Sequence, residues 1–88
     1  MQVDIEKLTI DQMRSYRDYL SYRHMLKEAN EAKPTSLERA KMGFYLDEIC
    51  KHAVNLASSF AFEDIELYKH FMDKAAFFDR ARRLHRAI

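Results

Sequence analysis

Glycine and proline are nearly missing from this chain of 88 residues, which has one of each, Gly43 and Pro34. Both residues punctuate turns and break helices. Their scarcity argues against a fold of many short strands and favours a few long helices. Cysteine is equally scarce. With Cys50 alone, no intrachain disulfide framework can form. Its place on an apolar stripe reads as a small buried hydrophobe in a reducing compartment. No run approaches the roughly 20 apolar residues that span a bilayer. Asp4 and Glu6 interrupt the N-terminal stretch, which does not resemble a signal peptide. The expectation is a soluble, cytoplasmic protein with no membrane contact.

An excess of charge is lacking too. Fifteen basic and 14 acidic residues leave a formal charge of +1. That balance excludes a strongly basic nucleic-acid-binding domain and leaves room for a local basic patch. No glycine-rich phosphate loop, zinc spacing or nucleophile motif occurs, and no carboxylate pair sits on an apolar face. Glu48/His52 and Glu66/His70/Asp73 have helical spacing, but they fall on polar faces without a His-Glu-x-x-His pattern. They read as exposed i,i+4 pairs, not as metal ligands. No enzyme activity, cofactor or metal is expected.

What the chain does have is helical periodicity. Met42, Tyr45, Leu46, Ile49, Cys50, Ala53, Leu56, Ala57 and Phe60 follow steps of three, four and one, which is one face of an α-helix. Thr35 and Glu38 form a capping box at its start, and Lys33-Pro34 ends whatever precedes it. An earlier helix starts at Thr9, where Thr9 and Gln12 form another capping box. Its apolar set is Met13, Tyr16, Tyr19, Leu20, Tyr22, Leu26 and Ala29. A third set, Leu67, Tyr68, Phe71, Met72, Ala75 and Phe78, follows the polar interruption Ser58, Ser59, Glu63 and Asp64. Residues 1–8 read as a short N-terminal arm, extended through Val3 and Ile5.

These signals predict one all-α domain, a small antiparallel three-helix bundle with helices over about 9–32, 36–58 and 62–88. No glycine or proline marks the second boundary, so one helix over 36–88 is the alternative. It would be about 80 Å long and would need partner chains to cover it. The expected core is Tyr16, Leu20, Leu26, Leu46, Ile49, Ala53, Leu56, Phe60, Tyr68, Phe71, Ala75 and Phe78.

Three surfaces are candidates for function. Leu37, Ala40 and Phe44 lie at i, i+3, i+7 on the side of the middle helix away from its main stripe, with Gly43 beside them. A second apolar face suits a partner or a second copy of the chain, and a mid-helix glycine suits a close approach. Tyr16, Tyr19 and Tyr22 with Arg23 and Lys27 form a face on which bases could stack and phosphates be held. Arg80, Arg82, Arg83 and Arg86 crowd the end of the chain, as an anion patch or as cations at a helix C-terminus.

The leading expectation is a non-enzymatic interaction protein, a small regulator or inhibitor that binds a protein partner as a homo-oligomer. By type alone, it fits the accessory and anti-defence factors of phages and mobile elements. The alternative is a protein that binds or sequesters nucleotide or nucleic acid through the tyrosine face or the arginine tail.

Overall fold

A computed structural model describes residues 3–31 and 35–87. Three helices follow one another: α1 (Ile10–Glu31), α2 (Ser36–Phe60) and α3 (Ile65–Ala87). The described residues contain no strand. The expected boundary at Ala32-Lys33-Pro34, and Ile88, lie outside the described residues.

Both capping boxes form. The Thr9 amide donates to Gln12 Oε1 at 3.0 Å and the Gln12 amide to Thr9 Oγ1 at 3.1 Å. At α2, Thr35 and Glu38 exchange the same pair of bonds. Each box satisfies two amides that a helix start leaves without intrahelical partners.

The arm differs from expectation. Ile5–Lys7 is a 3-10 turn capped by Asp4, not an extended strand. A lone strand has no ladder to satisfy its backbone groups, whereas a turn makes its own bonds. Leu8 and Val3 then pack on the core.

One continuous helix over 36–88 does not form. The amides of Glu63 and Asp64 both donate to the Phe60 carbonyl, at 3.1 and 3.0 Å. Asp64 restarts the chain, accepting from Leu67 N at its side chain and from Tyr68 N at its carbonyl. The capping residue Ala61 keeps right-handed angles, φ −54° and ψ −33°, and no described residue has positive φ. A turn built this way needs neither glycine nor proline, which is why the boundary left so little trace in the sequence. Helix α2 ends two residues beyond the expected 58, and α3 starts three residues after the expected 62.

The register follows from cross-helix contacts. Gln12 meets Ser59, while Tyr22 meets His52 and Phe44, so α1 and α2 are antiparallel. Phe60 stacks on Phe71, and Asp47 pairs with Arg86, so α2 and α3 are antiparallel. α2 packs on both neighbours, while the backbones of α1 and α3 scarcely approach each other. Those two helices meet through Tyr16, Tyr19, Phe71 and Phe78.

The core holds Tyr19, Leu46, Ile49, Cys50, Ala53, Leu56, Ala57, Phe60, Phe71, Ala75 and Phe78. Burial follows the α2 stripe, including Cys50, whose thiol donates to the Ala75 carbonyl at 3.7 Å. Burial pushes that thiol above its usual pKa, as expected for a packing residue without a reactive thiolate. Leu20 contradicts the expectation, being 39% exposed while Tyr19 is buried. Neighbouring residues differ by about 100° around a helix. The inward face of α1 is therefore Gln12, Tyr19 and Leu26, flanked by Tyr16 and Tyr22, and Leu20 turns out. Tyr16, Leu26 and Tyr68 are half-buried at the core's edge.

Candidate functional site

The α2 candidate face is mostly open. Leu37 is 66% exposed and Phe44 53%, on the same side as exposed Ala40. The Phe44 ring meets Tyr22 of α1 edge-on, with centroids 5.9 Å apart. Tyr22 in turn stacks on His52 at 5.9 Å and lies against Tyr45 at 6.2 Å. This aromatic cluster closes the seam between α1 and α2 and holds one edge of Phe44. Its other faces point to solvent. Gly43 belongs to another contact. A β-carbon there would lie 3.2 Å from the His85 ring of α3, so the close approach is within the molecule.

Glu48 and His52 are not the exposed pair expected from the sequence. Their side chains are 22% and 14% exposed, with His52 Nε2 3.6 Å from a Glu48 carboxylate oxygen. Tyr22 covers the imidazole, a contact that the α2 sequence cannot report. Among the described residues no three His, Cys, Asp or Glu side chains gather as a ligand set.

The arginine tail is drawn into the bundle. Arg82 bonds Asp79 and lies 3.6 Å from Asp47, Arg83 lies 3.1 Å from Asp79, and Arg86 lies 3.1 Å from Asp47. Asp47 sits on the polar side of α2, and only helix packing shows that it faces α3. Arg82 and Arg86 therefore tie α3 to α2 through Asp47, while Arg83 pairs within α3. Arg80, exposed, makes no ion pair among the described residues.

The tyrosine face is divided. Tyr22 belongs to the α2 seam. Tyr16 and Tyr19 stack on each other at 6.3 Å and meet Phe71 of α3 edge-on. Arg23 lies one turn beyond Tyr19 on this α3 side, and Lys27, exposed, one turn beyond Arg23. Arg23, Tyr19, His70, Asp73, Lys74, Phe77 and Phe78 line a groove of about 570 Å³ between α1 and α3. Tyr19 is 2% exposed, and its hydroxyl has no hydrogen-bond partner among the described residues. Burial raises the pKa of that phenol, while Arg23 pulls it partly back without reaching hydrogen-bond geometry. Burial, then Lys74 and Arg23, push the His70 imidazole below its usual range, against the opposing pull of Asp73.

Sequence reasoning missed this groove because it joined only Tyr19 and Arg23. His70 and Asp73 were set apart as a helix-surface pair, and Lys74 and Phe77 carried no signal of their own.

No protein-family model matches the chain, and neither the curated proteins nor the solved structures include a significant match. No helix among the described residues is long and apolar enough to cross a membrane.

Proposed function

We propose that this protein is a non-enzymatic interaction protein, a small regulator or inhibitor that binds a protein partner and self-associates through the outer face of α2. The observation that carries this reading is the exposure of Leu37 and Phe44, 66% and 53%, on one helix side. Phe44 extends from a seam whose aromatic side chains already hold it at one edge. A ring anchored at one edge loses little conformational freedom when a second surface covers the rest.

Two further points favour a second copy as one occupant. A bundle this small has a marginal core, and association adds buried apolar area. The formal charge of +1 imposes little mutual repulsion. A self-complementary patch on a helix is the usual basis of a two-fold dimer.

Light scattering or sedimentation tests the self-association directly. The expected mass exceeds that of the 10.5 kDa chain and falls with Phe44→Glu. A monomer at every accessible concentration rejects self-association. An unchanged oligomer in the Phe44→Glu chain rejects this face. Co-purification with and without Phe44→Glu then tests the protein partner, whose capture should weaken if it shares the patch.

A further inference from the structure

The bundle is electrically polarised along its length. Residues 4–11 and 60–66 meet at one end, where α1 starts and α2 turns into α3. They hold six carboxylates, Asp4, Glu6, Asp11, Glu63, Asp64 and Glu66, against Lys7, a formal charge of −5. The whole chain carries +1, so the remainder carries +6. At the opposite end the last turns of α3 hold Arg80, Arg82, Arg83 and Arg86 against Asp79. The molecule is 42 Å long, several times the screening length of about 8 Å at physiological salt. The two ends therefore cannot neutralise each other within one copy.

Local causes account for part of each end. Asp64 caps α3, Asp4 caps the 3-10 turn, and Asp11 and Glu66 lie in first turns, where helix dipoles favour them. Arg82 and Arg86 are tied to Asp47. These causes do not explain the apolar side chains set among the charges. Phe62, fully exposed, and exposed Ile65 flank Glu63 and Asp64 in the α2–α3 turn, and exposed Ile10 follows Thr9. Thr9, Glu63 and Asp64 line an open cleft of about 390 Å³ together with apolar Leu8, Phe60 and Leu67. Among the described residues, none of the six carboxylates takes part in an ion pair.

The opposite end carries the matching pattern. Phe77, Arg80 and Leu84 fall at i, i+3, i+7 on α3, with Arg83 beside them. This ridge turns away from the core face of Phe71, Ala75 and Phe78, and all four side chains are exposed. Arg80 makes no ion pair among the described residues, and Arg83 pairs only with Asp79 of its own helix. We infer that the acidic end of one copy docks on the α3 ridge of a second copy, head to tail. Phe77 and Leu84 of one copy cover Ile10, Phe62 and Ile65 of the other, while Arg80 and Arg83 reach Glu63 and Glu66. Buried apolar area supplies the affinity, and the opposed charges fix the orientation. Both halves of the contact lie on one polypeptide, so each copy meets its complement at its own concentration. The two surfaces differ, so the contact repeats into a row of copies or closes into a ring. It uses neither Leu37 nor Phe44 and does not rest on self-association through α2.

Sedimentation velocity of the full Phe44→Glu chain tests it, because that variant lacks the α2 patch. In about 50 mM salt its mass should exceed that of the 10.5 kDa monomer, and in about 500 mM salt it should return to it. Glu63→Lys with Glu66→Lys should leave a monomer, and so should Arg80→Glu with Arg83→Glu. Mixed in equal amounts, the two charge-reversed chains should associate, since each keeps the half that the other has lost. Phe62→Ala and Leu84→Ala should each weaken the contact several-fold. Arg17→Ala, an exposed cation midway along α1, should not.

A Phe44→Glu chain that stays monomeric in low salt at millimolar concentration would overturn the inference. It would leave the α2 reading untouched, because the wild type tests that separately. An oligomer indifferent to both charge reversals would place the contact elsewhere and overturn it too. So would a mixture of the two reversed chains that fails to associate. All the substituted side chains are exposed, so melting temperatures should match that of the parent chain. Phe62→Ala removes only a fully exposed ring, so it decides the matter where a reversal lowers the melting temperature. Undiminished association by that variant would then overturn the inference.

Discussion

The two halves of the bundle are built differently. The α2–α3 hairpin is closed by small and aliphatic side chains of α2 packed with Phe60 against Phe71, Ala75 and Phe78, and α2 alone buries seven residues, among them Ile49, Ala53 and Ala57 at 0% exposure. Helix α1 buries two, Gln12 and Tyr19. Its remaining attachments are half-buried rings, Leu26, and one side-chain hydrogen bond between helices, from Gln12 Nε2 to Ser59 Oγ at 3.1 Å. A chain that packs alanine into a helix crossing brings the backbones together and seals the seam. One that inserts tyrosines holds the backbones apart and leaves polar atoms and open volume. The difference places most of the buried core in the hairpin and an open groove along α1.

The largest test of that contrast is Phe71→Ala. Phe71 is 1% exposed and touches Tyr16, Tyr19, Phe60 and His70, so it joins both halves. Truncating a buried phenylalanine costs about 3–5 kcal/mol, a large share of a small domain's total stability. Urea denaturation should show that loss across the whole molecule. A loss below about 1 kcal/mol would mean that Phe71 is not the common support.

Gln12→Ala should act more locally. It removes one arm of the α1 capping box and the bond to Ser59, at an expected cost of about 1–2 kcal/mol. Hydrogen exchange should show α1 amides opening faster than those of α2 and α3 in the wild type, with the gap widening in this variant. Equal acceleration in all three helices would make the bundle one cooperative unit and erase the contrast.

Gly43→Ala sets two effects of similar size against each other. Alanine gains about 1 kcal/mol of helix propensity, while its β-carbon crowds His85 at 3.2 Å. That ring sits in the last turn of α3 and can give way, so the net change should stay within about 0.5 kcal/mol. A larger loss by thermal denaturation would show that the α2–α3 seam is rigid to its end.

The smallest effect is a pH slope. His70 has a folded pKa lowered from 6.5. Between that lowered value and 6.5 the unfolded chain binds the proton and the folded one does not. Stability therefore falls as pH drops below 6.5 and levels once the folded imidazole is protonated as well. His70→Gln should flatten this part of the profile of denaturant midpoint against pH. An unchanged slope would assign it to other groups.

Much of this was legible in local pattern. Capping boxes, the α2 stripe and the third apolar set rest on contacts within about four residues, which sequence spacing reports directly. The groove was legible only in part. Tyr19 and Arg23 are neighbours on one helix, but His70, Lys74 and Phe77 lie some 50 residues further on and join them only when α1 and α3 flank α2. The arginine tail misled for the same reason. Read locally, it is a cluster of cations, whereas Asp47, distant in sequence, brings Arg82 and Arg86 into the bundle.

The sequence by itself determined an all-helical chain, helix starts at Thr9 and Thr35, and the face that α2 buries. Those features follow from backbone hydrogen bonding and a period of 3.6 residues, which act along the chain. Only the tertiary structure decided where α2 breaks, that Leu20 turns out while Tyr19 turns in, that Gly43 accommodates His85, and that Arg23 shares a groove with His70, Asp73 and Lys74. Those outcomes depend on how one helix is rotated against another, and rotation is set by the fit of side chains that the chain order keeps apart.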